Sequence, residues 1–363
     1  MSLLFSPAKI GSLEIPNRII RSATAESMAS DLDGSPTEQL KALWVALVKG
    51  GTGLIISGHM YAHPSGKCHP EMTGIYSDDL ISALKECVDA VHEAGGKIAA
   101  QINHGGMQCD KKSVNGTIAP SALEDDFLKQ PAREMSGDEI EMLIDAYGQA
   151  ARRAEEAGFD AVQIHAAHGY LINQFISPYT NRRTDQWGAD LQGRTRFLRE
   201  VTRTVRAQVG NDYPVFIKFG MQDGLEGGLT AEAGANVVAL MAEMGLDAIE
   251  ISGGIQATSV RKGIRDASRE AYFRPLVKLA REKTDLPLII VGGMRSKAVM
   301  EEVLASGEAD FIAMCRPLIN EPNFPNFLKA GKQEISGCIS SSNCWAETLR
   351  VGIACKCPPL KVT

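Results

Sequence analysis

The sequence predicts a fold of the α/β class, a single (β/α)8 TIM barrel in which eight parallel strands alternate with helices. Apolar runs of strand length recur eight times along the chain, with helical patterns between them. These runs are apolar almost throughout rather than at every second residue, which is typical of parallel strands covered on both faces. A chain of 363 residues is long for one packed core, and barrels of this class are the usual exception.

The predicted strands and helices follow one another in a regular order. A capping box with proline at the first helical position predicts a helix start at Ser35, and Ser136 with Glu139 predicts another. Glycines at residues 50–51, 95–96, 158 and 245 indicate helix ends. The strands are placed at residues 18–23, 54–59, 97–103, 161–167, 215–219, 248–252, 288–292 and 311–315.

Two connections are too long for simple turns. They follow the third and fourth strands, at residues 104–135 and 168–190. Long loops in a compact domain often carry function, and the loops that follow barrel strands lie on the catalytic face. Residues 332–363 are rich in Ser, Cys and Pro, and we expect them to form an extension packed on the barrel within one domain of residues 1–363.

A cluster of polar side chains follows the fourth strand. His165 and His168 are three positions apart, and Tyr170 comes two residues later. A tight turn there can aim both imidazoles at one point, where two N–H donors would polarise a carbonyl or nitro oxygen. The neutral phenol of Tyr170 can donate a proton beside them. The histidines also suit a metal site or a hydrogen-bonded core, so the residues alone leave these alternatives open.

The sequence around this cluster reads HAAHGYL at 165–171, QFISPYTNRRTD at 174–185 and GRTRF at 193–197. Further blocks are LFSPAKIGSLEIPNRII at 4–20, QINHGG at 101–106, APSAL at 119–123, VGGM at 291–294 and ADFIAMCRPLINEPNFP at 309–325. Together they resemble the Old Yellow Enzyme family of FMN-dependent NAD(P)H oxidoreductases. The resemblance extends over nearly the whole chain.

The resemblance implies FMN as the cofactor, NADH or NADPH as the electron donor, and reduction of electron-poor C=C bonds such as those of enones. In this family, the pair matching His165 and His168 holds the substrate oxygen. The tyrosine matching Tyr170 protonates the α-carbon, opposite the hydride that arrives at the β-carbon.

Contacts to the flavin are implied residue by residue. Gln101 matches the contact to the pyrimidine edge, and Lys218 stands where arginine is usual, so the positive charge remains but the planar fork is lost. Ala25 stands where Thr or Cys often hydrogen-bonds the flavin, which predicts an altered flavin potential. The other implied contacts are Ser22, Ala23, Thr24 and Gly58 along the reactive edge, and Gly292, Gly293, Cys315 and Arg316 around the phosphate.

The tail cysteines predict that no iron–sulfur cluster is bound. Longer members of the resembling family carry a [4Fe–4S] cluster on the spacing C-x2-C-x2-C-x12-C. Cys338, Cys344 and Cys357 match that spacing, but Ser341 takes the second position. The longer members continue into dinucleotide-binding domains, whereas this chain ends at Thr363. We therefore expect direct hydride exchange with dissolved NAD(P)H and no bound metal.

The composition excludes other classes of function. The net charge of −6 and the pI near 5.7 argue against a nucleic-acid-binding surface. No signal-peptide pattern and no apolar run of about 18 residues is present, so we expect a cytoplasmic protein without a membrane partner. The expected partners are a nicotinamide nucleotide and a small-molecule substrate, and the sequence leaves a homo-oligomer open.

Two alternatives compete with the flavoenzyme. One is a metal-dependent TIM-barrel hydrolase that uses His59, His104, His165 and His168. The other is an aldolase in which Lys218 forms a Schiff base.

Overall fold

Eight parallel strands close into a barrel in the computed structural model, which describes residues 2–123, 131–256, 264–344 and 352–357. The strands are β1 (Ala8–Ile10), β2 (Leu13–Ile15), β3 (Ile19–Arg21), β4 (Leu54–Tyr61), β5 (Ile98–Asn103), β6 (Ile118–Ala119), β7 (Arg133–Glu134), β8 (Ala161–Ala166), β9 (Val215–Gly220), β10 (Ile249–Ser252), β11 (Leu288–Ile290) and β12 (Phe311–Met314). The helices are α1 (Glu38–Lys49), α2 (Ile81–Glu93), α3 (Gly137–Glu156), α4 (Leu171–Ile176), α5 (Leu191–Val209), α6 (Ala231–Ala242), α7 (Arg274–Arg281), α8 (Lys297–Ala305), α9 (Arg316–Asn320) and α10 (Phe324–Lys329).

The barrel strands run in the order β3, β4, β5, β8, β9, β10, β11 and β12, and β12 pairs with β3 to close the ring. All eight are buried along their length, because the barrel interior covers one face and the surrounding helices cover the other. The predicted (β/α)8 barrel and its order of strands are thus confirmed.

A short antiparallel hairpin, β1 and β2, covers the N-terminal end of the barrel. Its Ile10, Leu13 and Ile15 pack with side chains that fill the barrel interior, among them Phe216 and Phe311. The lower half of the barrel is therefore a packed apolar core. Polar side chains of the interior, such as those of Gln163 and Glu250, lie above this core, from the middle of the strands to their carboxyl ends.

The helix starts were predicted with mixed success. The capping box of Ser136 and Glu139 is present at the start of α3. The predicted start at Ser35 is wrong, because Thr37 is the N-cap of α1 and its hydroxyl accepts a hydrogen bond from the backbone N–H of Leu40. That hydroxyl also donates to the carbonyl of Met28, which fixes the helix start two residues later.

Both long connections contain structure of their own. The first, after β5, includes the β6–β7 pair, although its residues 124–130 lie outside the described ranges. The second contains α4, a buried six-residue helix that the sequence did not predict. Of the predicted C-terminal extension, residues 345–351 and 358–363 lie outside the described ranges. No helix within the described ranges is long and apolar enough to cross a membrane.

Candidate active site

A cavity of about 540 Å³ lies at the carboxyl end of the barrel strands. That volume is within the roughly 300–1,000 Å³ typical of ligand pockets. All but one of the residues predicted for the site line this cavity. They are Ser22, Ala23, Thr24, Gln101, His165, His168, Tyr170, Lys218, Gly292, Gly293, Cys315 and Arg316.

The exception is Gly58, and a β-bulge explains why. The register of β4 against β5 shifts between Ile56 and His59, so that an extra residue is inserted there. Ile56 faces the barrel interior, and after the bulge His59 rather than Gly58 lines the cavity. The N–H of Gly58 donates to Glu26 Oε2 at 2.9 Å instead. His59 thus joins the site at a position that sequence patterns alone had given to Gly58.

Four rings meet on one side of the cavity. The centroid of the Tyr170 ring lies 4.9 Å from that of His165 and 5.1 Å from that of His59. His165 and His168 are 5.1 Å apart and nearly perpendicular. The backbone of His168 is in the left-handed region with φ 61°, which turns its ring back toward His165. The Nε2 atom of His168 lies 2.8 Å from Ser252 Oγ.

Burial keeps these rings neutral. It lowers the pKa of His168 to about 3 and holds the pKa values of His59 and His165 well below their usual range. Neighbouring imidazoles and the Lys218 charge act in the same direction on His165. Burial also raises the pKa of the Tyr170 phenol well above its usual value. The cavity therefore presents neutral N–H and O–H donors at physiological pH.

A polar network lies next to these rings, inside the barrel, since Gln101 and Lys218 pair in register with His59 and His165. Gln101 Nε2 donates to Gln163 Oε1 at 2.6 Å, and Gln163 Nε2 donates to Glu250 Oε2 at 2.8 Å. Ser22 Oγ donates to Glu250 Oε1 at 2.6 Å and accepts from Lys218 Nζ at 2.8 Å. Lys218 and Glu250 also form a buried ion pair of 3.2 Å. Gln163 and Glu250 were not predicted as site residues; the signal was a polar residue inside an otherwise apolar strand.

The far end of the cavity suits an anion. Gly292 and Gly293 both have positive φ, and a Cβ on Gly292 would come within 2.8 Å of two aromatic rings. Backbone N–H groups can approach a ligand closely there. The Arg316 guanidinium also lines the cavity and donates to the carbonyl of Ser340 at 3.2 Å. Ser340 and Ser342, from the C-terminal extension, line the same end.

The residues beside Ala25 do not replace its missing hydroxyl. Thr24 Oγ1 lies 3.0 Å from the carbonyl of Ser22 and 3.1 Å from Cys315 Sγ, so its hydroxyl is engaged within the protein. The Glu26 carboxylate is buried against Arg21 at 3.0 Å and does not line the cavity. We therefore still expect the alanine at position 25 to alter the flavin potential.

Replacing Gly58 with alanine is expected to destabilise the fold by about 2–4 kcal/mol. A Cβ at this position would overlap the Glu26 carboxylate and lie 2.7 Å from the carbonyl of Thr24. To relieve this overlap, the Glu26 carboxylate would have to move away from Arg21. Gly137→Ala is the matched control, because nothing lies within 4 Å of a Cβ there. Urea unfolding of both variants checks this; equal stability would contradict the tight packing around Gly58.

A family model described as "NADH:flavin oxidoreductase / NADH oxidase family" matches residues 3–334. The chain belongs to this family. The resemblance to the Old Yellow Enzyme family is thus confirmed, and the chain carries a flavin-dependent oxidoreductase domain with FMN as cofactor.

Individual members of the family support the assignment. The chain is 36% identical to an NADH oxidase of Thermoanaerobacter brockii over 93% of its own length and 52% of that protein. It thus spans about half the length of that relative. It is 34% identical to an NADPH dehydrogenase of Geobacillus sp. over 94% of its own length and 97% of that protein. An Old Yellow Enzyme homologue from Zymomonas mobilis has a similar structure, with a TM-score of 0.79, 28% identity and coverage of 93% and 95% of the two chains.

The cavity fits the cofactor of this family. It offers a neutral amide and a cation on one side and glycine backbone with an arginine at the far end, which are the groups that a flavin pyrimidine and a phosphate require. The metal-hydrolase alternative has no such support. Within residues 2–123, 131–256, 264–344 and 352–357, no group of three or more His, Cys, Asp or Glu is arranged to hold a metal ion.

The tail positions that match the cluster spacing supply three thiols and one hydroxyl, with Cys355 beside the last of them. Ser341 Oγ lies 3.0 Å from Cys357 Sγ, so a hydroxyl occupies the place of the second thiol. No catalytic step is assigned to an iron–sulfur cluster.

Proposed function

We propose that this chain reduces electron-poor C=C bonds, such as those of enones, by transferring hydride from NAD(P)H through FMN. The observation that carries the proposal is the placement of His165, His168 and Tyr170 in one cavity with Lys218 and Gln101. When bound, FMN would accept hydride from the nicotinamide and pass it to the alkene. The protein residues must then bind the substrate oxygen and supply a proton.

The two histidines are arranged to donate hydrogen bonds. His165 Nδ1 accepts from the backbone N–H of Ala167 at 3.3 Å, so the proton of this neutral imidazole is on Nε2. His168 Nε2 shares a hydrogen bond with the Ser252 hydroxyl; when that hydroxyl donates to Nε2, the single proton of the neutral ring is on Nδ1 and can be donated to the substrate. Two neutral donors at one oxygen stabilise the negative charge that develops there as hydride arrives.

Tyr170 is the proposed proton donor. Its phenol lines the same cavity as the two imidazoles, and its raised pKa means that it carries its proton throughout the physiological pH range. A donor beside the histidines can protonate the α-carbon while the substrate oxygen is held by them. Lys218 is engaged with Ser22 and Glu250, which opposes its use as the free amine that a Schiff base requires.

The visible absorption spectrum of the purified protein tests the proposal. We expect a flavin band that bleaches when NADH or NADPH is added without oxygen and that returns when an enone is added. A protein that binds no FMN would overturn the proposal. A flavin that is reduced but not reoxidised by any activated alkene would leave the cofactor assignment intact and refute the proposed substrate class.

A further inference from the structure

Glu250 lies in the middle of β10, behind the cavity. Its side chain is fully buried and does not line the cavity, whereas Lys218 does. The carboxylate receives hydrogen bonds from Ser22 and Gln163 and forms the ion pair with Lys218. A carboxylate inside an apolar barrel costs free energy unless it is paired and hydrogen-bonded, and Glu250 has both kinds of partner.

We infer that Glu250 is a positioning residue that sets the reduction potential of bound FMN through Lys218. The inference rests on the proposed placement of the flavin pyrimidine beside Lys218. Reduced FMN carries more negative charge than oxidised FMN, so a cation beside the ring favours reduction. Glu250, 3.2 Å behind the ammonium, offsets part of that positive charge. It thereby holds the potential lower than an unpaired lysine would.

Glu250 also fixes the direction of the hydrogen bonds that lead to Gln101. A carboxylate can only accept, so the amide N–H of Gln163 must point toward Glu250. The Gln163 oxygen must then accept from Gln101 Nε2. This leaves the carbonyl oxygen of the Gln101 amide available to an N–H group in the cavity. The same carboxylate thus orients both the cation and the amide that face the proposed flavin site.

The test is to measure the two-electron potential of FMN in the intact, flavin-loaded protein. For Glu250→Gln we expect the equilibrium constant for reduction to rise about tenfold, which is about 30 mV for a two-electron couple. Lys218→Met should lower it. In the Lys218→Met background, Glu250→Gln should have little further effect, because Glu250 acts on the flavin through the Lys218 ammonium. The dissociation constant of FMN, measured for each variant, provides a second readout.

Glu26→Gln is the matched control, since it removes a carboxylate from another buried ion pair that lies outside the cavity. We expect no change in potential for it. If Lys218→Met shifts the potential and Glu250→Gln does not, the role of Glu250 is refuted. If neither variant shifts it, the placement of FMN beside Lys218 is wrong.

Glu250→Asp keeps the test decisive if Glu250→Gln fails to bind FMN. The shorter carboxylate withdraws from Lys218 but retains its charge, so we expect an upward shift smaller than tenfold. An unchanged potential in Glu250→Asp would then overturn the inference.

Discussion

Replacing Tyr170 with phenylalanine is expected to slow alkene reduction by about 10²–10⁴-fold, the usual contribution of a positioned general acid. The substitution removes only the phenol oxygen and keeps the ring contacts with His59 and His165. Reduction of the flavin by NAD(P)H needs no proton from this residue, so its rate should stay within about twofold of the wild type. Rapid mixing of each half-reaction under anaerobic conditions separates the two steps.

Tyr61→Phe provides the control. Its phenol lies outside the cavity, where it donates to the carbonyl of Asp33 at 3.2 Å. We expect both half-reactions to be unaffected by it. If Tyr170→Phe reduced the alkene as fast as Tyr61→Phe does, the proton would have to come from solvent or from another residue, and the assignment of Tyr170 would fail.

Lowering the pH from 7 to 5 is expected to reduce the free energy of unfolding by several kcal/mol. Burial lowers the pKa of His69 to about 4 and those of His104 and His168 to about 3. In the unfolded chain the same groups titrate near pH 6.5. Below that pH the unfolded state binds more protons than the folded state, so stability falls as the pH drops, until the folded-state pKa values are reached.

Each of these three groups contributes roughly 2 kcal/mol between pH 7 and pH 5, or on the order of 6 kcal/mol together. His59 and His165 act in the same direction. Glu26 opposes them, because burial raises its pKa and the folded state then takes up a proton earlier. Since domains are stable by only about 5–15 kcal/mol, the loss should be plain in urea unfolding at the two pH values.

His69→Gln should make the stability less dependent on pH by about 2 kcal/mol over this interval. His92→Gln is the control, because His92 lies on α2 with a much more exposed ring. Equal pH dependence in the two variants would mean that His69 is not held neutral in the folded state.

The barrel was predictable from the sequence because its strands are buried on both faces. Runs such as residues 215–219 and 311–315 are apolar for that reason, and the observed β9 and β12 lie almost at those positions. Local signals placed the start of α3 correctly, since Ser136 and Glu139 satisfy each other within one turn. At α1, Thr37 rather than Ser35 is the N-cap, because the Thr37 hydroxyl donates to the carbonyl of Met28, nine residues earlier in the chain.

The site was predictable where its residues follow directly from strand ends. The bulge in β4 was not predicted, although a glycine inside a strand, as Gly58 is here, often marks a bulge. The network behind Lys218 could have been predicted from the sequence. Gln163 and Glu250 are polar residues within buried strands, and buried polar groups need partners. Ser340 and Ser342 reach the cavity from the C-terminal extension, so only the folded chain brings them there.

The hairpin of β1 and β2 has a consequence for the order of events during turnover. Among the described residues, it seals one end of the barrel and the apolar core fills the space behind it, so the rings of His165 and Tyr170 are approached from the opposite end. A nicotinamide and an alkene would then share one entrance and one binding place. In the proposed function, the oxidised nicotinamide would leave before the alkene binds, and either reactant in excess would compete with the other.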